Sequence, residues 1–281
     1  MKNIFLLSSA MFFAASPLAA ANEKIYGNAE IFTDPFADTI TVEGGGEWDG
    51  KYNVKLGTIY QSVDNGKESV VGSVLTIATT LENGLKLKAR AALTQEGLHG
   101  SFYARRNGPV SIESYCDHEY VATSLAIRQR IDSTGCSISA ETPDTKPLWA
   151  ALTADYHEFS DGNRRKTAAL STRYSLSDHF AIAHRSRLLG YKLTVPEYFS
   201  PDKWHRHQVT LQHFGKYTRG SYKLEAGPGL DFINGNQTEF GMVGGAIYYD
   251  YKRVSLFARA THQFGSEYNY SQWVFGASIP F

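Results

Sequence analysis

The chain is poor in what a helical or a cysteine-stapled protein would need. Its 281 residues include only 2 cysteines, 3 methionines and 9 prolines. Cys116 and Cys136 are too few for a disulfide framework, and their spacing fits no zinc pattern. Neither charge is in excess, since 28 Lys and Arg stand against 28 Asp and Glu. That excludes a protein that coats nucleic acid by bulk positive charge, so no nucleic-acid partner is expected. Outside the extreme N-terminus no apolar run approaches the ~18 residues of a spanning helix, which excludes a polytopic helical membrane protein. Phosphate loops, paired-carboxylate motifs and metal-ligand spacings are missing too, and no cofactor or metal is expected.

What the sequence has begins with an export signal. Lys2 and Asn3 precede an apolar stretch, 4–15, and then the small run Ala19, Ala20 and Ala21. A basic start, a short apolar core and small residues before a cut define a secretory signal peptide over 1–21, with a single barrel domain expected over 22–281. In an oxidising compartment an isolated cysteine pair favours a disulfide.

Aromatics are abundant, with 17 Tyr and 16 Phe, and helical periodicity is scarce. Period 2 dominates instead. Leu85, Leu87, Ala89, Ala91 and Leu93 alternate with Lys86, Lys88, Arg90, Ala92 and Thr94, and Val254, Leu256, Ala258 and Ala260 alternate with Arg253, Ser255, Phe257 and Arg259. Turn residues such as Asn83-Gly84 and Asn234-Gly235 separate these runs. The segments are about twice the ~5–6 residues usual in soluble sheets and match a tilted membrane strand. The expectation is an all-β transmembrane antiparallel barrel of about sixteen strands, with fourteen as the alternative, in contact with outer-membrane lipid. Segments 109–117 and 119–131 are read as consecutive strands. That register sets Cys116 and Cys136 at opposite barrel ends, where a disulfide is impossible; either the register is wrong or the cysteines are unpaired.

At the C-terminus Trp273, Phe275, Ala277, Ile279 and Phe281 occupy every second position. This resembles the last strand that outer-membrane barrels present to their assembly machinery. Trp273, Phe275 and Phe281 are the expected signal, and the location is the outer membrane of a Gram-negative bacterium.

If the apolar set of each strand faces lipid, the other set faces the lumen. Its basic members are Lys55, Lys86, Lys88, Arg90, Arg105, Arg128, Arg130, Arg173, Arg185, Arg187, Arg206, Lys223, Arg253 and Arg259. The acidic set is smaller: Glu43, Glu47, Glu113, Asp117, Asp155, Glu225 and Asp231. One reading is an anion-attracting lumen with Arg128, Arg130, Arg185, Arg187, Arg206 and Arg259 as contacts. The other is that these cations pair with the acids and rigidify the wall. Tyr103, Tyr115, Phe214 and Phe257 are the inward aromatics a sugar-stacking track would use.

Two motifs lie between Trp149 and Trp204. Phe159-Ser-Asp161-Gly162-Asn163-Arg164-Arg165 is followed by Tyr198-Phe199-Ser-Pro201 and then Trp204. They resemble the C-terminal barrel of bacterial exopolysaccharide export porins, more closely the poly-N-acetylglucosamine export porin and more distantly the cellulose-secretion porin. The resemblance implies a sixteen-stranded barrel that passes a saccharide, most readily an exported exopolysaccharide, with a general or oligosaccharide-uptake porin as the alternative. The family precedes its barrel with periplasmic helical repeats. Here strands follow the signal directly, so a separate periplasmic scaffold protein is an expected partner. An enzyme rival rests on His184 and Ser186. These share a strand face, as in lipid-facing outer-membrane acyl hydrolases, but no orienting third group is evident and no catalytic activity is expected.

Overall fold

The computed structural model describes residues 23–280, apart from 36, 65, 145–146, 252–253 and 266–268. The expected signal segment, Arg253 and Phe281 lie outside the described residues. The first half of the barrel is β1 (Glu23–Thr33), β2 (Asp38–Trp48), β3 (Asn53–Val63), β4 (Glu68–Thr80), β5 (Leu85–Thr94), β6 (Gly97–Arg106), β7 (Ser111–Tyr120) and β8 (Asp132–Glu141). A one-turn-and-a-half helix, α1 (Ser124–Gln129), sits between β7 and β8. The second half is β9 (Leu148–Phe159), β10 (Arg164–Ser175), β11 (Phe180–Tyr191), β12 (Trp204–Tyr217), β13 (Gly220–Ile233), β14 (Asn236–Tyr251), β15 (Val254–Phe264) and β16 (Tyr270–Pro280). Each strand pairs antiparallel with its chain neighbours, and β1 closes the ring on β16 through pairs such as Ile25 with Ile279. Closure leaves no edge, so every strand can satisfy its backbone inside a bilayer.

Alternation decides which face is which. On β5, Leu93 is 65% exposed and points outward, whereas its neighbour Ala92 is 3% exposed and points inward. The same outward set continues through Leu98, Phe102, Leu152, Leu170, Leu211, Leu224 and Leu256. An apolar outside on a closed barrel is stable only against lipid tails, and this is a barrel of the Gram-negative outer membrane. Trp273 and Phe275 face outward, at 47% and 43% exposure. The two long connections, 121–131 and 192–203, emerge from the same end, opposite the termini. Short turns mark the periplasmic end and longer loops the outer end, so both long connections face outward from the cell.

The sequence reading fails between 109 and 141. Residues 119–131 are not a strand. β7 runs on to Tyr120, and α1 follows, started by Thr123, whose side chain accepts from the Ala126 backbone N–H. Arg130 ends it in the left-handed region at φ 55°. The next strand, β8, was missed because Gly135, Ser137 and Ser139 carry little hydrophobic signal. Arg128 and Arg130 therefore belong to an outer loop rather than to a lumen wall. The corrected register sets Cys116 directly opposite Cys136, and they form a disulfide.

The bond closes a segment of sequence separation 20 that contains α1. Replacing both cysteines by serine should cost about 3 kcal/mol on the chain-entropy account. The check is the midpoint of urea unfolding in detergent. An unchanged midpoint would mean that the β7–β8 ladder holds this hairpin unaided.

Candidate functional site: the lumen and its outer bridge

The inward side chains change character along the barrel axis. Near the periplasmic end the wall is aromatic. Trp149 and Phe214 hold the Arg173 guanidinium between them, at 5.6 and 5.9 Å from their ring centres, and Arg173 also pairs with Asp144. Tyr248 stacks with Phe257 at 6.3 Å. Tyr103 donates to Glu113 Oε2 at 3.1 Å, and Arg105 binds both Glu113 and Glu141. Tyr26 lies beneath Lys55 and donates to Glu43.

Some of these rings lie flat because glycine is beneath them. A Cβ on Gly276 would come within 2.0 Å of the Phe257 ring, and farther out, towards the other end of the barrel, one on Gly229 would come within 2.1 Å of the Phe240 ring. Glycine thus lets a ring lie against the wall instead of projecting across the lumen.

Midway along the axis the wall is lined by ion pairs. Arg90 meets Glu43 at 3.2 Å, Arg185 meets Glu225 at 3.0 Å, and Lys223 meets Glu225 at 3.1 Å. Towards the outer end Asp231 is fully buried and takes two bonds from Arg206, Nε to Oδ1 and Nη2 to Oδ2, both 2.6 Å. The Trp204 indole N–H donates to Oδ1 at 2.9 Å. The Arg206 guanidinium lies 4.4 Å from the Trp204 ring centre and 4.6 Å from that of Phe240. Arg165 reaches Asp155 at 3.3 Å.

Of the expected contacts, Arg185, Arg187, Arg206 and Arg259 share the inward face of their strands. Arg185 and Arg206 are committed to carboxylates, whereas Arg187 lies over the Trp204 ring at 5.6 Å. The structure adds inward acids that the sequence reading left off that face, among them Glu141 and Glu30. The lumen is consequently closer to charge balance than the two-to-one reading implied.

The motif residues come together at the outer mouth. Asn163, fully buried, donates from Nδ2 to the Leu193 carbonyl at 2.9 Å and to the Tyr198 hydroxyl at 3.0 Å. Its Oδ1 accepts from the Leu193 and Arg164 backbone N–H groups, each at 2.8 Å. Tyr198 donates to Asp161 Oδ2 at 2.9 Å and stacks on Phe159 at 5.0 Å. Burial pushes the Tyr198 hydroxyl well above its ordinary pKa, so it stays a donor. Gly162 supplies the left-handed residue of the 160–163 turn at φ 84°. Phe199 packs edge-on against Trp204, and the Pro201 carbonyl accepts from Tyr191. Arg164 and Arg165 face opposite ways, the first pairing on the outside with Glu158.

This docked loop meets α1. Tyr198 and Phe159 form one apolar cluster with Ala126 and Ile131, and Thr123 Oγ1 donates to the Glu197 carbonyl. On its other side α1 inserts Ile127 among Ala37, Val63 and Val70, Arg128 pairs with Glu68, and Tyr120 bonds to Gln61. The β3–β4 and β11–β12 hairpins are half the ring apart. α1 and the 192–203 loop together therefore bridge the mouth from one wall to the other.

Among solved structures, this chain is similar to a bacterial polysaccharide outer membrane secretin. The TM-score is 0.71 at 12% identity, over 92% of this chain and 98% of that one. It also aligns with OccK5 (OpdH) of Pseudomonas aeruginosa, at TM-score 0.49 and 7% identity over 92% and 98% of the two chains. OccAB1 of Acinetobacter baumannii gives TM-score 0.49 and 11% identity over 92% and 96%. No protein-family profile and no curated protein sequence matches the chain. What the match at TM-score 0.71 shows is a shared barrel fold.

His184 and Ser186 stand on the lipid face, Ser186 directly across from His207. The His184 and His207 rings stack at 5.8 Å, and no hydrogen bond joins Ser186 to either ring among the described residues. Sequence reasoning missed α1, Trp149 and Phe240. Only the Thr123 capping position carried a signal for the first of these.

Proposed function

We propose that the barrel is a passive conduit for a saccharide, with an exported exopolysaccharide as its cargo. The observation that carries this reading is the wall itself. Flat aromatic rings crowd the periplasmic end, and hydrogen-bonding ion pairs of nearly balanced charge line the rest. Pyranose faces stack on such rings, while hydroxyl groups exchange bonds readily with paired carboxylates and guanidinium groups. Polysaccharide is also the cargo named for the secretin whose fold this chain shares, and the docked Asp161–Tyr198 pair lies within the motifs that resemble export porins. Arg187, Arg259, Tyr103 and Phe257 are the proposed contacts, with Arg128 and Arg130 acting at the mouth.

Deleting the gene should abolish a secreted polysaccharide while leaving oligosaccharide uptake intact; the reverse result would make the protein an uptake porin. Planar-bilayer reversal potentials should show weak ion selectivity, because most wall cations already have acidic partners. Arg185→Glu with Arg187→Glu should then shift the preference towards cations. Strong anion preference in the unmodified protein would contradict the balanced wall.

A further inference from the structure

On the outside of the barrel, at the outer rim, the ends of β10 to β13 leave a cleft of about 570 Å³. Its lower wall is apolar: Ala168, Leu188 and Phe232 all belong to lipid-facing sets. Its upper edge is cationic, with Lys166 and Lys203, while His205 lies across the ladder from both Leu188 and Phe232. Both lysines are exposed, and neither makes an ion pair among the described residues. The nearby carboxylates are Glu158, already paired with Arg164, and Asp202. Gly190 lies in the cleft opposite Lys166, where the Asp202 carbonyl approaches so closely that a Cβ would come within 2.8 Å of it. The depression thus depends on a position without a side chain.

We infer that this cleft binds the phosphorylated headgroup of an acylated glycolipid of the outer leaflet. The order of chemistry along the membrane normal is the argument. Apolar surface sits at acyl-chain depth, and two ammonium groups sit one step outward, where that leaflet carries its anionic sugars. Ammonium groups are point-charge partners for phosphate, and water is scarce at this depth, so the attraction is screened less than on an open surface. A soluble anion alone would leave the Leu188 and Phe232 wall unused, whereas a lipid covers both parts.

Native mass spectrometry of the full-length barrel in detergent, titrated with bis-phosphorylated lipid A, tests this. The same lipid stripped of its phosphates should bind about tenfold more weakly or worse, as loss of charge-assisted bonds implies. Lys166→Ala with Lys203→Ala should lose a similar factor, while Lys216→Ala, at the periplasmic end, should lose nothing. Folding of each variant is read from heat-modifiable migration. Equal binding of the two lipids, or unchanged binding to the folded double variant, would overturn the inference. Displacement of the lipid by an equal concentration of inorganic phosphate would reduce the cleft to a simple anion site and overturn it as well. Should the double variant fail to fold, the comparison of the two lipids on the unmodified protein still decides.

Discussion

Asn163→Ala should raise single-channel conductance severalfold in planar bilayers, with the barrel itself intact. Asn163 is a buried hub whose amide ties the 160–163 turn to both Leu193 and Tyr198. Removing it strands the Leu193 carbonyl and N–H, and each buried polar group left unsatisfied costs about 1–3 kcal/mol. What then holds the 192–203 loop is its aromatic stack and its contacts with α1. A six-residue helix is marginal without tertiary support, so release of the loop should free α1 too. Tyr198→Phe offers a graded comparison, since it keeps the stack on Phe159 and loses the bonds of the hydroxyl to Asp161 and Asn163 while leaving the Asn163 bonds to Leu193. Should Asn163→Ala fold normally and conduct like the unmodified protein, the bridge does not control passage.

Asp231→Ala should be the most destabilising single change in the lumen, at about 3–5 kcal/mol for a buried charge stripped of its partner. Asp231 is fully buried and serves Arg206 and the Trp204 indole together, so its loss takes the carboxylate from the Arg206 Nε and Nη2 and from the Trp204 N–H, while Gln263 Oε1 still accepts from Nη1. Differential scanning calorimetry in detergent would record the fall in unfolding temperature. Asp231→Asn, which keeps an oxygen for one of the two donors, should fall between. A shift in Asp231→Ala no larger than that in an exposed control such as Glu158→Ala would show that Arg206 finds another acceptor at little cost.

The barrel was legible in the sequence because a transmembrane strand is pressed by two different solvents, and alternation is the direct record of that. The parity that put Arg185, Arg187, Arg206, Phe257 and Tyr103 inward needed nothing more. Two things were not legible. Alternation cannot distinguish a strand from a short capped helix when small and apolar residues fall by chance at every second place, and this misled the reading of 119–131. Conversely, β8 turns Gly135, Ser137 and Ser139 inward and, besides Thr134, Cys136 and Ala140, only Ile138 as a large apolar residue outward, and its hydrophobic contrast is too low to announce it. The site was half visible. The residues of the two motifs could be named, but Asn163 and Tyr198 are separated by a whole hairpin, and only the register of β10 against β11 brings them into contact. The pairing of lumen charges depends on the same three-dimensional detail. Face membership is encoded residue by residue, whereas partnership is encoded by neighbours across the ladder.

The cysteine bond has a bearing on chronology. Cys116 pairs across the ladder with Phe102, and Cys136 with Tyr156, both of which look out into lipid. Once the barrel is inserted, both sulfur atoms face the lipid side of the wall, away from the water of the lumen. The bond is expected to be made before that, while the chain is still in transit through an oxidising compartment. The β7–α1–β8 unit thus reaches the membrane already fastened, and the element that later spans the mouth is fixed at its root before there is a mouth to span.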